Sequence, residues 1–173
     1  MMKHLRKCVL QLSAISALLL SLAACSEQLD SAAASTEKAQ ANSAVVSLDV
    51  YKSPTCGCCG KWMEHADASG FETLGHHPVD LNQFKIDKGI TAPYQSCHTA
   101  VSQEGYVFEG HIPADIIHRF LANPPANALG LVVPGMPVGS PGMEVGSRQD
   151  EYAVLVLYKD GSDDIYEHIG SAQ

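Results

Sequence analysis

The chain has 173 residues, with 11 lysines and arginines against 19 aspartates and glutamates and a formal charge of −8 at neutral pH. That acidity excludes nucleic acid as the expected partner, because holding a phosphate backbone takes basic patches that displace its counterions. It also excludes attachment to anionic lipid through a polybasic surface.

Lys3, Arg6 and Lys7 precede an apolar run, Val9 to Leu22, that ends in small residues. This is the pattern of an export signal. At 14 residues the run falls short of the roughly 20 that a membrane-spanning helix needs. Leu22-Ala23-Ala24-Cys25 resembles the lipobox of bacterial lipoproteins. Residues 1–24 are therefore expected to be a lipoprotein signal peptide, and Cys25 the lipid-modified first residue of the mature chain. Ser26 in place of an aspartate points to the outer membrane. The expected location is the bacterial cell envelope, facing the periplasm, with the lipid as the membrane attachment. Residues 25–45, small and polar, are expected to form a tether, and residues 46–173 a single domain.

Beyond the tether, Val45 to Tyr51 is β-rich and ends at a Ser-Pro turn, which predicts a strand. From about Cys58 to Ser69, Cys59, Trp62, Met63 and Ala66 recur at spacings of three and four, with Gly70 as the stop. That is an amphipathic helix. "FETLGHHPV" reads as a second strand, and "DLNQFKIDKG" as a short helix with Asp80 as N-cap and Gly89 as C-cap. "CHTAVS" and "YVFEGHI", separated by "QEG", read as a hairpin, and "PADIIHRFLAN" as a closing helix with Pro113 in its first turn. The order β-α-β-α-β-β-α is that of an α/β, thioredoxin-like domain. After it come a Gly/Pro-rich loop holding Met136 and Met143 and a C-terminal β extension.

Cys8 leaves with the signal and Cys25 is taken by lipid, so Cys56, Cys58, Cys59 and Cys97 remain for chemistry. Two disulfides are permissible in an oxidising compartment, but adjacent Cys58 and Cys59 pair only with strain, and ligation is at least as attractive. The turn "SPTCGCCG" stands at the N-terminus of the first helix, where unsatisfied N–H groups and the positive end of the dipole favour thiolate. Cys56 and Cys59 have the C-x-x-C spacing of a thiol-disulfide oxidoreductase. Cys58 is an extra thiol, which spoils a clean redox pair but adds a soft donor of the kind that selects Cu(I). In a thioredoxin-like domain the segment before the third strand lies against this helix N-terminus, so Cys97 and His98 are expected to face the cluster. His111 and the thioethers of Met136 and Met143 are further candidate ligands. His65, His118 and His168 are expected on faces away from the cysteines, His76 and His77 mostly in solvent, and Trp62 in the core. Two other readings stand beside copper: an oxidoreductase using Cys56 and Cys59, and a structural zinc domain, which four thiolates also satisfy.

Taken together, "SPTCGCCGKW", "SCHTAVSQEGYVFEGHIPADII" and "GLVVPGMPVGSPGME" resemble the CopG-type family of exported, cysteine-rich copper-resistance proteins over about residues 46–160. The resemblance implies a thioredoxin-like fold that binds copper through Cys56, Cys58, Cys59, Cys97 and His98, extending to His111, Met136 and Met143. It allows more than one copper ion, as Cu(I) or Cu(II), with metal binding expected over turnover. It implies a setting in copper or silver handling, with copper ions, other periplasmic copper-handling proteins and efflux components as partners.

Overall fold

A computed structural model describes residues 45–170. The signal peptide, Cys25 and nearly all of the tether lie outside the described residues. The elements run β1 (Val46–Lys52), α1 (Gly57–Ala68), β2 (Phe71–His76), α2 (Leu81–Asp87), β3 (His98–Ser102), β4 (Val107–Glu109), α3 (Ala114–Ala122), β5 (Ala128–Val132), β6 (Tyr152–Tyr158) and β7 (Asp163–Ile169). All the strands join one mixed sheet in the order β2-β1-β3-β4-β5-β6-β7. β1 runs parallel to β2 and antiparallel to β3, and β3 is antiparallel to β4. The domain is thus mixed α/β, and its first seven elements are compatible with the thioredoxin-like order. β5 joins parallel to β4 through α3, and β6 and β7 extend the same sheet as antiparallel strands.

Alternation along the strands gives each face of the sheet its own cover. Val50, Phe108, Leu131 and Val156 pack with Trp62 and Ala66 of α1 and with Ile116, Ile117 and Phe120 of α3. Their neighbours in sequence Val107, Val132 and Leu157 form a second cluster with Ile90, just beyond α2. The helical spacing of Cys59, Trp62 and Ala66 is what buries all three. Trp62 is fully enclosed, and its Nε1 donates to the carbonyl of Ile112 at 2.9 Å, which pins α1 to the segment leading into α3.

Asp80 caps α2 as expected, accepting from the backbone of Gln83 at 2.9 Å. The helix ends at Asp87, and Gly89, with φ +84°, takes the left-handed conformation just past the end. Pro113 departs from expectation. It is the N-cap of α3, with ψ 135°, and not a first-turn residue, because an N-cap keeps non-helical backbone. It offers no side-chain cap, and the first N–H of α3, that of Ala114, donates to His65 Nε2 of α1 at 3.1 Å.

Candidate metal centre

The loop between β1 and α1 places its cysteines at a helix start because Cys56 is itself the N-cap, its sulfur accepting from the Cys59 N–H at 3.3 Å. β3 begins beside this turn, antiparallel to β1, with Lys52 opposite His98. Pairing of those two strands carries Cys97 across to the cysteines. Cys58 Sγ lies 3.5 Å from Cys56 Sγ and 3.9 Å from Cys97 Sγ, and Cys59 Sγ sits 3.7 Å from the Cys97 carbonyl. Cys97 Sγ is in turn 3.4 Å from His98 Nδ1 and 2.9 Å from His111 Nε2. Two close-set ligand groups result, Cys56-Cys58-Cys59-Cys97 and Cys97-His98-His111, with the donor atoms of each within 4.8 Å of one another. Cys97 belongs to both.

Cys56 and Cys59 are joined as a disulfide, leaving Cys58 and Cys97 free. The C-x-x-C spacing permits this pairing. Both sulfurs must be reduced before they can donate as thiolates. Burial, followed by the neighbouring Cys58, pushes the Cys97 thiol up to about 12. This runs against the expectation that the helix N-terminus makes the cluster's sulfurs anionic. Cys97 is outside the helix, and loss of solvent outweighs the dipole there.

His111, a candidate ligand at the end of the hairpin, is fully buried and at the site. The carbonyl of Pro141 accepts from its Nδ1 at 2.7 Å, which fixes the tautomer and leaves the Nε2 lone pair aimed at Cys97. His98 is fully buried, packed on Trp62, and its Nε2 has no hydrogen-bond partner. Burial pushes both imidazoles below the usual histidine range, His98 well below it, with the charge of His111 the next cause for His98.

A pH dependence follows for the metal-free protein. The unfolded chain takes up a proton at His98 near pH 6.5, while the native ring stays neutral. The unfolded state therefore binds more protons in acid. Stability from this group is complete above about pH 6.5 and declines as pH falls, with a slope approaching about 1.4 kcal/mol per pH unit. Urea unfolding at several pH values should show this decline, and His98→Leu should flatten it; an unchanged slope in the variant would refute the assignment.

The 133–143 loop closes over the cysteine turn. A Cβ on Gly142 would stand 2.7 Å from the Cys58 carbonyl and 2.9 Å from the Trp62 nitrogen, and φ there is +84°, so glycine alone fits. Met136 is half exposed, and Met143, next to Gly142, is partly buried. His76 pairs with Asp49 at 2.7 Å, His77 with the Lys52 carbonyl at 2.9 Å and His118 with the Ser69 carbonyl at 2.8 Å. Sequence reasoning did not find the Pro141 carbonyl or the close contact at Gly142. The Gly-Pro pairs signalled a turn but not what it packs on.

A family model described as a protein of unknown function, DUF411, matches residues 94–143, which span Cys97, His98, His111 and the closing loop. Two solved structures, forms 1 and 2 of the copper resistance protein CopG, are similar at 39% identity and a TM-score of 0.68. Each match covers 72% of this chain and 98% of that chain. No curated protein matches. With nearly the full length of those structures matched, and the matched family segment centred on the cluster's second half, the chain belongs to the CopG-type copper-resistance family.

Proposed function

We propose that this protein binds Cu(I) at the cysteine-histidine cluster and serves copper, and by the same soft-donor chemistry silver, handling in the cell envelope. It faces the periplasm, held by lipid at Cys25. The observation that carries this reading is that Cys97 lies within reach of three other sulfurs on one side and two imidazoles on the other. A shared thiolate can bridge metals, so the arrangement accommodates more than one copper ion. Thiolates and neutral imidazoles are soft to borderline donors that suit Cu(I). The fixed tautomer of His111 presents a lone pair without first losing a proton. Cys97 must lose its proton on binding, so metal uptake releases acid. Reduction of the Cys56-Cys59 disulfide frees the remaining sulfurs, and copper cycling between Cu(II) and Cu(I) is the redox activity this setting suits. Met136 and Met143, on the same loop as Pro141 and Gly142, are the auxiliary thioether donors of this reading.

The observed disulfide also favours a second reading, thiol-disulfide exchange through Cys56 and Cys59. One preparation tests both. The reduced protein is titrated with Cu(I) against a chromophoric chelator and assayed for insulin reduction. The copper reading expects at least one tightly held ion per chain, weakened by Cys58→Ser and by His98→Ala, with His98→Ala leaving insulin reduction unchanged. Copper binding indifferent to both substitutions, together with strong insulin reduction dependent on Cys56 and Cys59, would promote the second reading.

A further inference from the structure

A closed network of buried polar groups lies against the segment that carries Cys97. Lys85 of α2 and Glu109 of β4 are 2% and 0% exposed, and Lys85 Nζ stands 2.5 Å from Glu109 Oε1. Lys85 also donates to Thr99 Oγ1 at 3.0 Å, and Thr99 donates to Glu109 Oε2 at 2.5 Å. Among the described residues, a single side-chain bond leads out of this triangle. The backbone N–H of Ser96, the residue before Cys97, donates to Glu109 Oε1 at 2.6 Å.

An ion pair enclosed in this way is a poor source of stability, since desolvating two charges offsets their attraction and apolar replacements of similar volume often serve as well. What it supplies is direction, because charge-assisted hydrogen bonds are short and hold their geometry. Glu109 pairs with Thr99 in the β3-β4 register and stands two residues before His111. The N–H of Gly110 donates to the His98 carbonyl at 3.0 Å. One carboxylate therefore ties the strand end that bears His111 to the segment that bears Cys97 and His98.

We propose that Glu109 is a positioning residue of the copper centre, its buried carboxylate gripping the Ser96 N–H so that Cys97, His98 and His111 hold their mutual spacing before metal arrives. Lys85 and Thr99 hold the carboxylate in turn. This rests on the copper reading for its purpose, but not for its test.

Two double variants share the loss of the ion pair and differ in one acceptor. Lys85→Met with Glu109→Gln keeps a carbonyl oxygen for Ser96, and Lys85→Met with Glu109→Leu does not. In the reduced, metal-free full chain, the rate of iodoacetamide alkylation at Cys97 is followed by mass spectrometry, and Cu(I) affinity is measured separately by chelator competition. The leucine variant should show a clear rise in Cys97 alkylation and about tenfold weaker Cu(I) binding, the size of one lost charge-assisted bond. The glutamine variant should stay within about threefold of the parent in both, the residual expected when a neutral acceptor replaces an ionised one. Should the leucine variant not fold, Glu109→Asp carries the test: it keeps the charge beside Lys85 while withdrawing the oxygen from Ser96, and it should shift both readings in the leucine direction. Parental alkylation and affinity in the leucine and aspartate variants would overturn the proposal, as would a glutamine variant that fails as badly as the leucine one. A parent that binds no Cu(I) would sink the copper reading alone, and the alkylation comparison would still decide the role of Glu109.

Discussion

Cys97→Ser should weaken Cu(I) binding by at least about 100-fold, close to 2.7 kcal/mol, and by more than Cys58→Ser or His111→Ala. The reason is membership. Cys58 is in one ligand group and His111 in the other, whereas the Cys97 sulfur is the donor common to both. Removing it takes a ligand from each group and the only bridge between them. Serine is nearly isosteric, and the Cys97 carbonyl that meets the Cys59 sulfur is retained. The fold should persist, with far-ultraviolet circular dichroism and the unfolding midpoint close to parental. Chelator competition with a copper count per chain gives the decisive reading. A Cys97→Ser protein holding the parental number of ions at parental affinity would remove Cys97 from the centre and split the cluster into unrelated halves.

The largest effect on stability is expected at Lys85. The single substitution Lys85→Met leaves the Glu109 carboxylate in the core without its cation, and breaking a buried pair in this way costs about 3–5 kcal/mol. Burial already raises Glu109 above the usual carboxylate range while Lys85 opposes the rise. Without Lys85 the native state should hold that proton more tightly still. A folded pKa above the unfolded one contributes stability in acid that is lost as pH rises, so the variant's deficit against the parent should be greatest at neutral pH and shrink toward the carboxylate range. Adding Glu109→Gln should recover most of the loss, since no uncompensated charge remains. Urea unfolding of parent, single and double variants at neutral and mildly acidic pH measures all three. A single variant as stable as the parent at neutral pH would mean that the pair is solvated in a way its burial does not show.

The same pair marks where the sequence stops being informative. Local patterns read well: the spacing of Cys59, Trp62 and Ala66 foretold the buried face of α1, Asp80 foretold the cap of α2, and "CHTAVS" with "YVFEGHI" foretold paired strands. Cys97 and His98 could be placed near the cysteine turn only by way of the fold, because strand pairing, not proximity along the chain, brings them there. Nothing in the sequence singled out Lys85. Its burial depends on Thr99 and Glu109, which lie 14 and 24 residues away on other elements, and no periodicity within "LNQFKID" records them. Pro113 was misplaced by one step because proline fixes φ alike at the cap and in the first turn, and ψ decides between them. The state of Cys56 and Cys59 is a matter of redox conditions, and a spacing compatible with both pairing and ligation cannot choose.

The loop that brings Pro141 to His111 and Gly142 to Cys58 lies between β5 and β6, well beyond the last cysteine and the last clustered histidine. A chain grown only as far as α3 already carries every thiol and imidazole of the two ligand groups. In it the His111 ring has no Pro141 carbonyl to choose its tautomer, and the Cys58 turn has nothing seated on it. Completion of the centre thus waits on the C-terminal strands. A chain truncated there would keep the Glu109 network that spaces Cys97, His98 and His111, but would lack the contacts that orient the His111 ring and cover the Cys58 turn.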